Sequence, residues 1–345
     1  MSALPAIKDL SAEQLSAWLD DHGVASYRQK QLTEWLYKKN ILSFDEATNI
    51  AQGLRDELAK SFSPVSLILE TRIMSQLRDS EKFLFKTHDG QFIETVAIFG
   101  YKRVTLCVST QIGCKFGCAF CASGKNGFVR NLSVAEIVDQ FILATRYIKK
   151  TITNVVFMGM GEPLDNYEAL KESLHCFMDP DRLALGQRRI TVSTVGIVPG
   201  IKQLVEDGFT QVKLSVSLHS GIQDKREKIM PVARLYSLYE LESILFYASK
   251  KLKRTMTLEY ILIPGVNDSR EDAEALITFA KIVSAKVNII GYNKIEETSF
   301  VSPEKDEVNN FATYLETKRV PHTVRYSAGS DIAAACGQLR LRHGN

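Results

Sequence analysis

Residues 104–121 read VTLCVSTQIGCKFGCAFC, an apolar strand pattern that runs directly into a loop with the spacing C-x3-C-x2-C. Three of the chain's six cysteines, Cys114, Cys118 and Cys121, therefore lie within eight residues. A disulfide framework spreads its cysteines along a short secreted chain, whereas this crowding in a long chain is typical of metal or redox chemistry. The stretch predicts a metal centre in the loop that follows a β-strand.

Two kinds of metal centre suit three neighbouring thiols. A structural zinc site needs four protein ligands, usually in two close pairs, and no histidine follows here at zinc-finger spacing. Three thiolates instead suit a [4Fe-4S] cluster whose fourth iron stays open and can bind a substrate. Gly113 and Gly117 favour the cluster, because glycine lets a loop turn tightly around a bulky group. The alternative is a structural zinc ion with Cys107 as the fourth ligand.

The chain after residue 100 alternates apolar strand patterns with amphipathic helical patterns, which predicts a parallel sheet with helical crossovers. The strand candidates are 104–109, 154–158, 189–194, 212–218, 256–263 and 287–292, with 323–326 as a short last strand. The helix candidates are 133–149, 167–178, 198–207, 238–251, 269–283 and 306–318. Six units are fewer than the eight of a complete barrel. We therefore predict an α/β fold with a partial (β/α)6 barrel, whose functional loops follow the carboxyl ends of the strands.

The chain before residue 100 has a different pattern. Residues 1–62 read as helical, and Ser11-Ala-Glu-Gln is a capping box that opens one of the helices. Two alternating strand patterns flank Asp89-Gly90, a dipeptide typical of a hairpin turn. We therefore predict a small helical N-terminal domain over 1–62, a β-hairpin connection over 63–99, and the barrel with a C-terminal loop over 100–345.

Length and composition exclude several classes of protein. The 345 residues are 45% hydrophobic and 24% charged, which excludes disordered, collagen-like and coiled-coil chains. The sequence has no run of eighteen apolar residues and no signal-peptide pattern, so we expect a cytoplasmic protein that does not enter a membrane. The net charge of +3 is too small to indicate a nucleic-acid partner by itself.

The distribution of charge is more informative than its sum. Residues 95–135 contain no Asp or Glu. The cations in this acid-free stretch are Lys102, Arg103, Lys115, Lys125 and Arg130. The stretch predicts a surface that meets an anion, and a solvated basic loop is the alternative.

Three strings of sequence carry a resemblance to a known family. They are QIGCKFGCAFCASGKNGFVRNL over 111–132, MGMGEPLDNY over 158–167 and DIAAACGQL over 331–339. Together they make the chain similar, over essentially its whole length, to the RlmN/Cfr family of radical S-adenosylmethionine RNA methyltransferases. The resemblance implies a radical S-adenosylmethionine barrel, in which a [4Fe-4S] cluster with one open iron binds the amino and carboxylate groups of S-adenosylmethionine.

The resemblance assigns the binding residues. Cys114, Cys118 and Cys121 would hold the cluster, and Gly161 and Glu162 of the GMGEP string would contact S-adenosylmethionine. Further cofactor contacts are expected from residues at the ends of the predicted strands, because the functional loops of a barrel meet at one rim. They are Ser193, Ser217, Leu218, His219 and Asn293. Each of these alone would also suit an ordinary hydrogen bond or packing contact at a strand end.

The resemblance also implies catalytic roles for three residues. Cys336 would receive a methyl group from one S-adenosylmethionine, and a radical made from a second would remove a hydrogen atom from that S-methyl group. The methylene carbon would add to adenine and link the protein to RNA, until Cys107 attacks Cys336, forms a disulfide and releases the product. Glu94 would accept the ring proton, with Cys107 as the other candidate base and an exposed strand carboxylate as the alternative for Glu94.

The implied substrates are 23S rRNA, at the peptidyl-transferase centre, and tRNA, at the adenosine 3′ of the anticodon, both methylated at adenine C2. The implied partners are these RNAs and an electron donor of flavodoxin or ferredoxin type, and we expect a monomer. One alternative is C8 methylation, as in the Cfr branch of the family, although Glu162-Pro163 favours the C2 branch. The others are a radical enzyme with a non-RNA substrate, which would not need Cys107 or Cys336, and a non-catalytic metal-stabilised RNA-binding module.

Overall fold

The computed structural model describes residues 4–125, 127–296 and 298–339. The start of the predicted helical domain (1–3) and the end of the predicted barrel domain (340–345) lie outside the described residues. The N-terminal part contains helices α1 (Ala12–Asp21), α2 (Tyr27–Tyr37) and α3 (Gln52–Ser61). α1 begins after Ser11, whose hydroxyl accepts from the Gln14 amide at 3.2 Å, while the Gln14 side chain accepts from the Ser11 amide at 2.8 Å. The predicted capping box is confirmed.

Among the described residues, ten strands form one continuous sheet and two form a separate ribbon. The strands in chain order are β1 (Leu67–Met74), β2 (Ser80–Thr87), β3 (Phe92–Gly100), β4 (Arg103–Cys107), β5 (Gln111–Gly113), β6 (Phe128–Asn131), β7 (Asn154–Phe157), β8 (Ile190–Thr194), β9 (Lys213–Ser217), β10 (Thr257–Leu262), β11 (Lys286–Gly291) and β12 (His322–Arg325). In space the large sheet has the order β1-β2-β3-β4-β7-β8-β9-β10-β11-β12, and β5 pairs with β6.

The remaining helices lie between the parallel strands. They are α4 (Ala122–Lys125), α5 (Val134–Ile148), α6 (Tyr167–Met178), α7 (Val198–Glu206), α8 (Gln223–Ile229), α9 (Leu238–Lys251), α10 (Arg270–Ile282) and α11 (Lys305–Thr317). Capping boxes at Ser133, Ser237 and Ser269 begin α5, α9 and α10, because each serine hydroxyl accepts from an amide that is otherwise unpaired at the helix start.

The strands from β4 through β12 of the large sheet run parallel, in register with one another. Residues such as Leu106, Val155 and Val192 are fully buried within them, as expected for strands covered on both faces. All six predicted barrel strands are present, and β12 adds a seventh parallel strand to the described sheet. The α/β fold with a partial barrel is confirmed.

The antiparallel strands β1, β2 and β3 extend this sheet beyond β4. The predicted hairpin is β2–β3, and Gly90 in its turn has φ +81°. β3 pairs with β4 so that Val96 lies opposite Cys107. β1 escaped the sequence analysis because most of it is exposed and it lacks the alternation of a half-buried strand.

The N-terminal helices pack against two helices of the barrel. Leu19 and Leu36 share a buried cluster with Val138 and Ile142 of α5 and with Cys176 of α6. None of the described helices is long and apolar enough to cross a membrane.

Candidate active site

The three neighbouring cysteines follow β4 and β5 at the carboxyl edge of the parallel strands. Cys114, Cys118 and Cys121 line one cavity, here called the cofactor cavity. The loop turns at Gly113, where φ is +75° and a Cβ atom would lie 1.9 Å from the carbonyl oxygen of Gly127. Only glycine suits this position, so the local sequence sets the path of the loop.

The thiols of this loop are poorly solvated. Burial raises the pKa of Cys114 to about 12 and holds the pKa of Cys118 well above its usual value. A thiol bound to a metal is deprotonated outright, so iron would stabilise the thiolates that burial alone disfavours. Among the described residues no three His, Cys, Asp or Glu side chains converge as ligands of a single metal ion.

A buried arginine lies beside the same loop. Arg226 of α8 is 1% exposed, and its guanidinium donates to the carbonyl oxygens of Val195 at 2.7 Å and Leu218 at 3.2 Å. In the part of the chain that the structure describes, Arg226 forms no ion pair, and the nearby Cys118 is the group that offsets the lowering of its pKa by burial. A buried cation of this kind favours an anionic neighbour. The residues therefore fit a cluster held by three thiolates.

The zinc alternative requires Cys107 as a fourth ligand. Cys107 does not line the cofactor cavity, and its side chain packs in a separate cluster with Val96, Val156 and Met160. The described residues around the three thiols therefore offer no fourth cysteine from β4.

The GMGEP string forms the loop after β7 and packs directly on the end of β4. Gly161 has φ +95°, and a Cβ atom there would lie 2.4 Å from the Cβ of Gln111. The Met160 amide donates to the Ser109 hydroxyl at 2.9 Å, and the Thr110 amide donates to the Met160 carbonyl at 2.9 Å. Gly161 lines the cofactor cavity, and its contact with S-adenosylmethionine stays a prediction. The need for glycine comes from the close approach of Gln111.

Glu162 is one of two buried carboxylates that line the cofactor cavity, the other being Glu259. It accepts from the Val195 amide at 2.8 Å and from the Leu164 amide at 3.1 Å. Burial raises the pKa of Glu162 to about 7. The carboxylate thus ties the GMGEP loop to the end of β8. A carboxylate has about four lone pairs, so lone pairs remain for the predicted contact with an ammonium group.

The structure divides the predicted strand-end residues into two groups. Ser193, Ser217 and His219 line the cofactor cavity. Leu218 is fully buried and does not line the cavity. Asn293 also lies outside the lining and instead contacts the C-terminal segment described below.

His219 has a structural role as well as a place in the cavity. Its Nδ1 accepts from the Ile261 amide at 3.0 Å, and its carbonyl oxygen accepts from Asn267 at 2.7 Å. Burial lowers the pKa of His219 to about 3, so the ring is neutral and carries its proton on Nε2. The ring meets Phe120 of the cysteine loop edge-on, with centroids 4.6 Å apart.

Cys107 and Cys336 lie together in a smaller cavity next to the cofactor cavity. Both thiols line it and both are free. Met158, Ile290 and Arg325 line the two cavities in common with Cys336. Burial raises the pKa of Cys107 to about 12. The predicted pair of reacting thiols is therefore brought together from the first barrel strand and the C-terminal segment.

Residues 327–339, here called the carrier loop, are held by several distant segments. Asn293 donates to the carbonyl oxygen of Cys336 at 3.2 Å and to the Ser327 hydroxyl at 2.9 Å. The Ala122 amide donates to the Gly337 carbonyl at 2.7 Å, which joins the carrier loop to the end of the cysteine loop. Asn293 thus positions Cys336 through its backbone.

Glu94 lies on the barrel face of β3 and is 4% exposed, so the alternative of an exposed strand carboxylate is wrong. It lies two residues from Val96, the partner of Cys107 across the sheet. Lys82 Nζ is 2.9 Å from a Glu94 carboxylate oxygen and also donates to the Ala333 carbonyl at 3.2 Å. Lys82 therefore connects the predicted base with the carrier loop.

The acid-free stretch meets acids from elsewhere in the chain. Lys115 pairs with Asp165 at 2.6 Å, and Arg130 pairs with Asp89 and Glu136. These two cations are therefore paired with acids of the same chain at its surface, so the acid-free stretch as a whole does not present unpaired positive charge.

Sequence reasoning missed several residues of the site, namely Lys82, Arg226, Glu259 and Arg325. Glu259 had a readable signal, because a lone carboxylate stands in the otherwise apolar and uncharged pattern of β10. Lys82, Arg226 and Arg325 had none, since ordinary cations in short or mixed segments do not reveal what they will contact.

Comparisons with known proteins place the chain in a family. The model of the radical SAM superfamily matches residues 108–280, and the model described as the ribosomal RNA large subunit methyltransferase N-terminal domain matches residues 6–63. The chain is 42% identical to a probable dual-specificity RNA methyltransferase RlmN 2 of Protochlamydia amoebophila, covering 97% of this chain and 94% of that one. It is 40% identical to a probable dual-specificity RNA methyltransferase RlmN of Clostridium novyi, with 98% of each chain covered.

A solved structure extends the comparison to three dimensions. A radical SAM methyltransferase from Sphaerobacter thermophilus superposes with a TM-score of 0.94 at 40% identity, over 97% of this chain and 99% of that one.

Proposed function

The chain belongs to the RlmN family of radical S-adenosylmethionine methyltransferases, and we propose that it methylates C2 of adenosine in RNA. The proposed targets are 23S rRNA at the peptidyl-transferase centre and tRNA at the adenosine 3′ of the anticodon. The observation that carries the proposal is the shared cavity of Cys107 and Cys336 beside the cofactor cavity. A methyl group carried on one thiol and released by another requires such a pair.

The chemistry of adenine C2 explains why two thiols and a radical cofactor are needed. This carbon is electron-poor and has no lone pair, so ordinary methyl transfer by nucleophilic attack is not open to it. When bound, a [4Fe-4S] cluster on Cys114, Cys118 and Cys121 together with S-adenosylmethionine supplies the methyl group and an agent that removes a hydrogen atom. We propose that each product consumes two molecules of S-adenosylmethionine.

The residues of the chain perform the remaining steps. Cys336 carries the methyl group on sulfur, and after loss of one hydrogen atom its carbon bonds to adenine C2. The linked adenine then loses the C2 proton, which Glu94 or Cys107 accepts. It also loses one electron, for which a cluster held by Cys114, Cys118 and Cys121 would be the acceptor. The ammonium group of Lys82 lies beside the Glu94 carboxylate. A neighbouring positive charge favours the ionised form of a carboxylate, which is the form that can accept a proton.

Release follows from thiol–disulfide chemistry. The Cys107 sulfur attacks the Cys336 sulfur, an S–S bond forms, and the bond from Cys336 to carbon breaks. The electron pair of that bond stays on carbon, which takes a proton and becomes the product methyl group. The disulfide must then gain two electrons, and we propose a flavodoxin- or ferredoxin-type donor as the source of electrons for the reaction.

The test is nucleoside mass spectrometry on the anaerobically reconstituted protein. It is incubated with S-adenosylmethionine, a reductant and unmodified 23S rRNA or tRNA, and the RNA is digested. We expect 2-methyladenosine, and peptide mapping should find an S-methyl group on Cys336. 8-Methyladenosine would assign the chain to C8 chemistry, while neither product from a brown, cluster-loaded protein would refute the proposed substrates. A colourless protein that contains zinc would instead support a binding module.

A further inference from the structure

Helix α5 places a buried glutamine against the wall of the site. Gln140 is 0% exposed, and its side-chain amide meets the backbone of Ser109, just beyond the end of β4. The Ser109 amide donates to Gln140 Oε1 at 2.7 Å, and Gln140 Nε2 donates to the Ser109 carbonyl at 2.9 Å. An amide donor and a carbonyl acceptor of one residue fix which end of the glutamine carries oxygen. Gln140 therefore pairs with Ser109 as a neighbouring strand would.

This pairing closes the sheet where β3 and β4 separate. The pairing of β3 with β4 ends at Val96 and Cys107, and the same register sets Ser109 opposite Glu94. In place of a backbone amide, the Ser109 hydroxyl donates to the Glu94 carbonyl at 2.7 Å. The Met160 amide of the GMGEP loop donates to the same hydroxyl at 2.9 Å. Ser109 therefore joins Glu94 to the GMGEP loop.

A second arm of Gln140 reaches the residue that follows Glu94. The buried Thr95 hydroxyl donates to Gln140 Oε1 at 2.7 Å. The other hydrogen of Gln140 Nε2 goes to the Glu136 carbonyl at 3.2 Å, one turn earlier in α5. Every donor and acceptor of this side-chain amide is thus used. A buried polar network with all its members paired is rigid, and the loss of one member leaves others unpaired at a high cost.

The helix that carries Gln140 is also anchored on its other side. The carboxylate of Asp139, the preceding residue, accepts from the Ser66 amide at 2.6 Å and lies 2.7 Å from Lys8 Nζ. Lys8 and Asp139 are both buried. Because the N-terminal segment and the barrel hold α5 at adjacent residues, Gln140 has a fixed support.

From these contacts we infer that Gln140 is a positioning residue, which fixes the proposed base Glu94 and the GMGEP loop relative to Cys107. It supports the Glu94 backbone through Thr95 and Ser109, and the GMGEP loop through Ser109. Successive side chains of a strand point to opposite faces, so the support reaches Glu94 from the face opposite its carboxylate. Rotation of this part of β3 would displace the carboxylate. The inference rests on the proposed function, since that proposal assigns the role of Glu94.

The test removes single arms of the network, because Gln140→Leu would leave both backbone groups of Ser109 unpaired and strongly lower stability. Thr95→Val keeps the shape of the side chain and removes only the arm beside Glu94. We expect kcat per cluster to fall about tenfold, because a displaced base reacts poorly. The dissociation constant of S-adenosylmethionine should stay at the wild-type value. Thr95→Ser keeps the hydroxyl and should retain kcat within about twofold of the wild type.

Ser109→Ala removes the joint between Glu94 and the GMGEP loop. We expect about fivefold weaker binding of S-adenosylmethionine, measured by equilibrium dialysis on the full-length reconstituted protein without RNA, and also a lower kcat. Ser173→Ala is the matched control, since Ser173 is equally buried and its hydroxyl donates to the Ala169 carbonyl of its own helix at 2.6 Å. The control should lower the melting temperature by a similar amount and leave binding and kcat unchanged.

A double substitution shows whether Thr95 acts through Glu94. Adding Thr95→Val to Glu94→Gln should lower kcat no further, because the group that Thr95 supports is then gone. Wild-type kcat in Thr95→Val would overturn the inference, and so would a further loss of about tenfold in the Glu94→Gln background. Equal losses of binding and kcat in Ser109→Ala and Ser173→Ala would also overturn it, since the serine would then serve stability alone.

Failure of the proposed function gives a different result. A wild-type protein that binds S-adenosylmethionine but makes no 2-methyladenosine would refute the proposed reaction. Binding of S-adenosylmethionine by Ser109→Ala and Ser173→Ala would still test the inference, because it is measured without RNA. Weaker binding in Ser109→Ala alone would support the positioning of the GMGEP loop, and equal binding in the two variants would overturn it.

Discussion

The two cysteine-bearing loops of the site are built in opposite ways. The cysteine loop over 113–121 owes its shape to neighbouring residues, since Gly113 turns it and the β5–β6 ribbon encloses its base. The carrier loop contains a single short 3-10 turn, Ser330–Ile332, among the described residues, and hydrogen bonds from distant segments hold it. Neighbouring residues therefore determine the shape of the cysteine loop, whereas the position of the carrier loop depends on contacts across the whole fold. Substitutions in the two loops should have different consequences for cluster binding and for methylation.

The largest effect should come from the cysteine loop itself. Cys114→Ala removes one of the three proposed ligands, so we expect loss of the iron–sulfur absorbance and a fall in methylated product of at least about 1,000-fold. The measurement is iron and sulfide content together with nucleoside mass spectrometry after anaerobic reconstitution. Cys176→Ala is the control, because Cys176 is buried in the N-terminal core and should leave the iron content unchanged. Wild-type iron content in Cys114→Ala would refute the proposed ligand set.

This contrast also explains what could be read from the sequence. The C-x3-C-x2-C spacing and the alternation of apolar strands with amphipathic helices are local patterns, and they led to the cysteine loop and the parallel strands. α8 was missed because its seven residues, QDKREKI, show no clear apolar stripe. The position of Asn293 was misjudged for another reason, since a residue at the end of a strand can face the cavity or fasten another loop. That choice is made by tertiary contacts.

A substitution in the carrier loop should abolish methylation without affecting the cluster. Cys336→Ala removes the thiol that we propose to carry the methyl group, so 2-methyladenosine should fall below detection, at least about 100-fold. The iron content and the visible spectrum should match the wild type, because Cys336 is not a proposed ligand of the cluster. A variant that still methylates RNA would indicate a radical enzyme that needs no protein-bound methyl group.

Cys107→Ala should separate two parts of the proposed reaction, bond formation to adenine and release of the product. Methylation of Cys336 and bond formation to adenine should proceed, but release requires the Cys107 sulfur. We expect a covalent protein–RNA species on denaturing gels and multiple turnover reduced about 100-fold. Glu94→Gln is the matched comparison, since it removes the other candidate base while leaving both thiols in place. Normal turnover by Cys107→Ala would eliminate the disulfide step.

A glycine pair tests the packing of the GMGEP loop against the stem of the cysteine loop. Gly161→Ala places a Cβ atom 2.4 Å from the Gln111 side chain at a φ of +95°, and we expect a loss of roughly 3 kcal/mol in unfolding free energy. Gly117 has φ +60° but open space around the added atom, so Gly117→Ala should cost only about 1 kcal/mol. Denaturant unfolding of both variants measures the difference, and equal losses would show that backbone strain alone sets the requirement for glycine.

The smallest effect should come from Lys82, which joins the proposed base to the carrier loop. Lys82→Met removes the ammonium group 2.9 Å from Glu94 and the hydrogen bond to Ala333, while the cofactor cavity keeps its lining. We expect kcat to fall about tenfold, with KM for S-adenosylmethionine and the iron content unchanged. Lys86→Met is the control, because Lys86 lies on the same face of β2 and forms no ion pair among the described residues.

The pH dependence decides whether Lys82 acts through Glu94 or only through the loop. An ionised Glu94 that loses its cation holds a proton more readily, so the acid limb of the pH–rate profile should move to higher pH in Lys82→Met. In the Glu94→Gln background the same substitution should leave the profile where it is, because the group that responds to Lys82 is gone. If Lys82→Met lowers kcat equally at every pH, Lys82 only fastens the carrier loop, and the base is to be sought at Cys107.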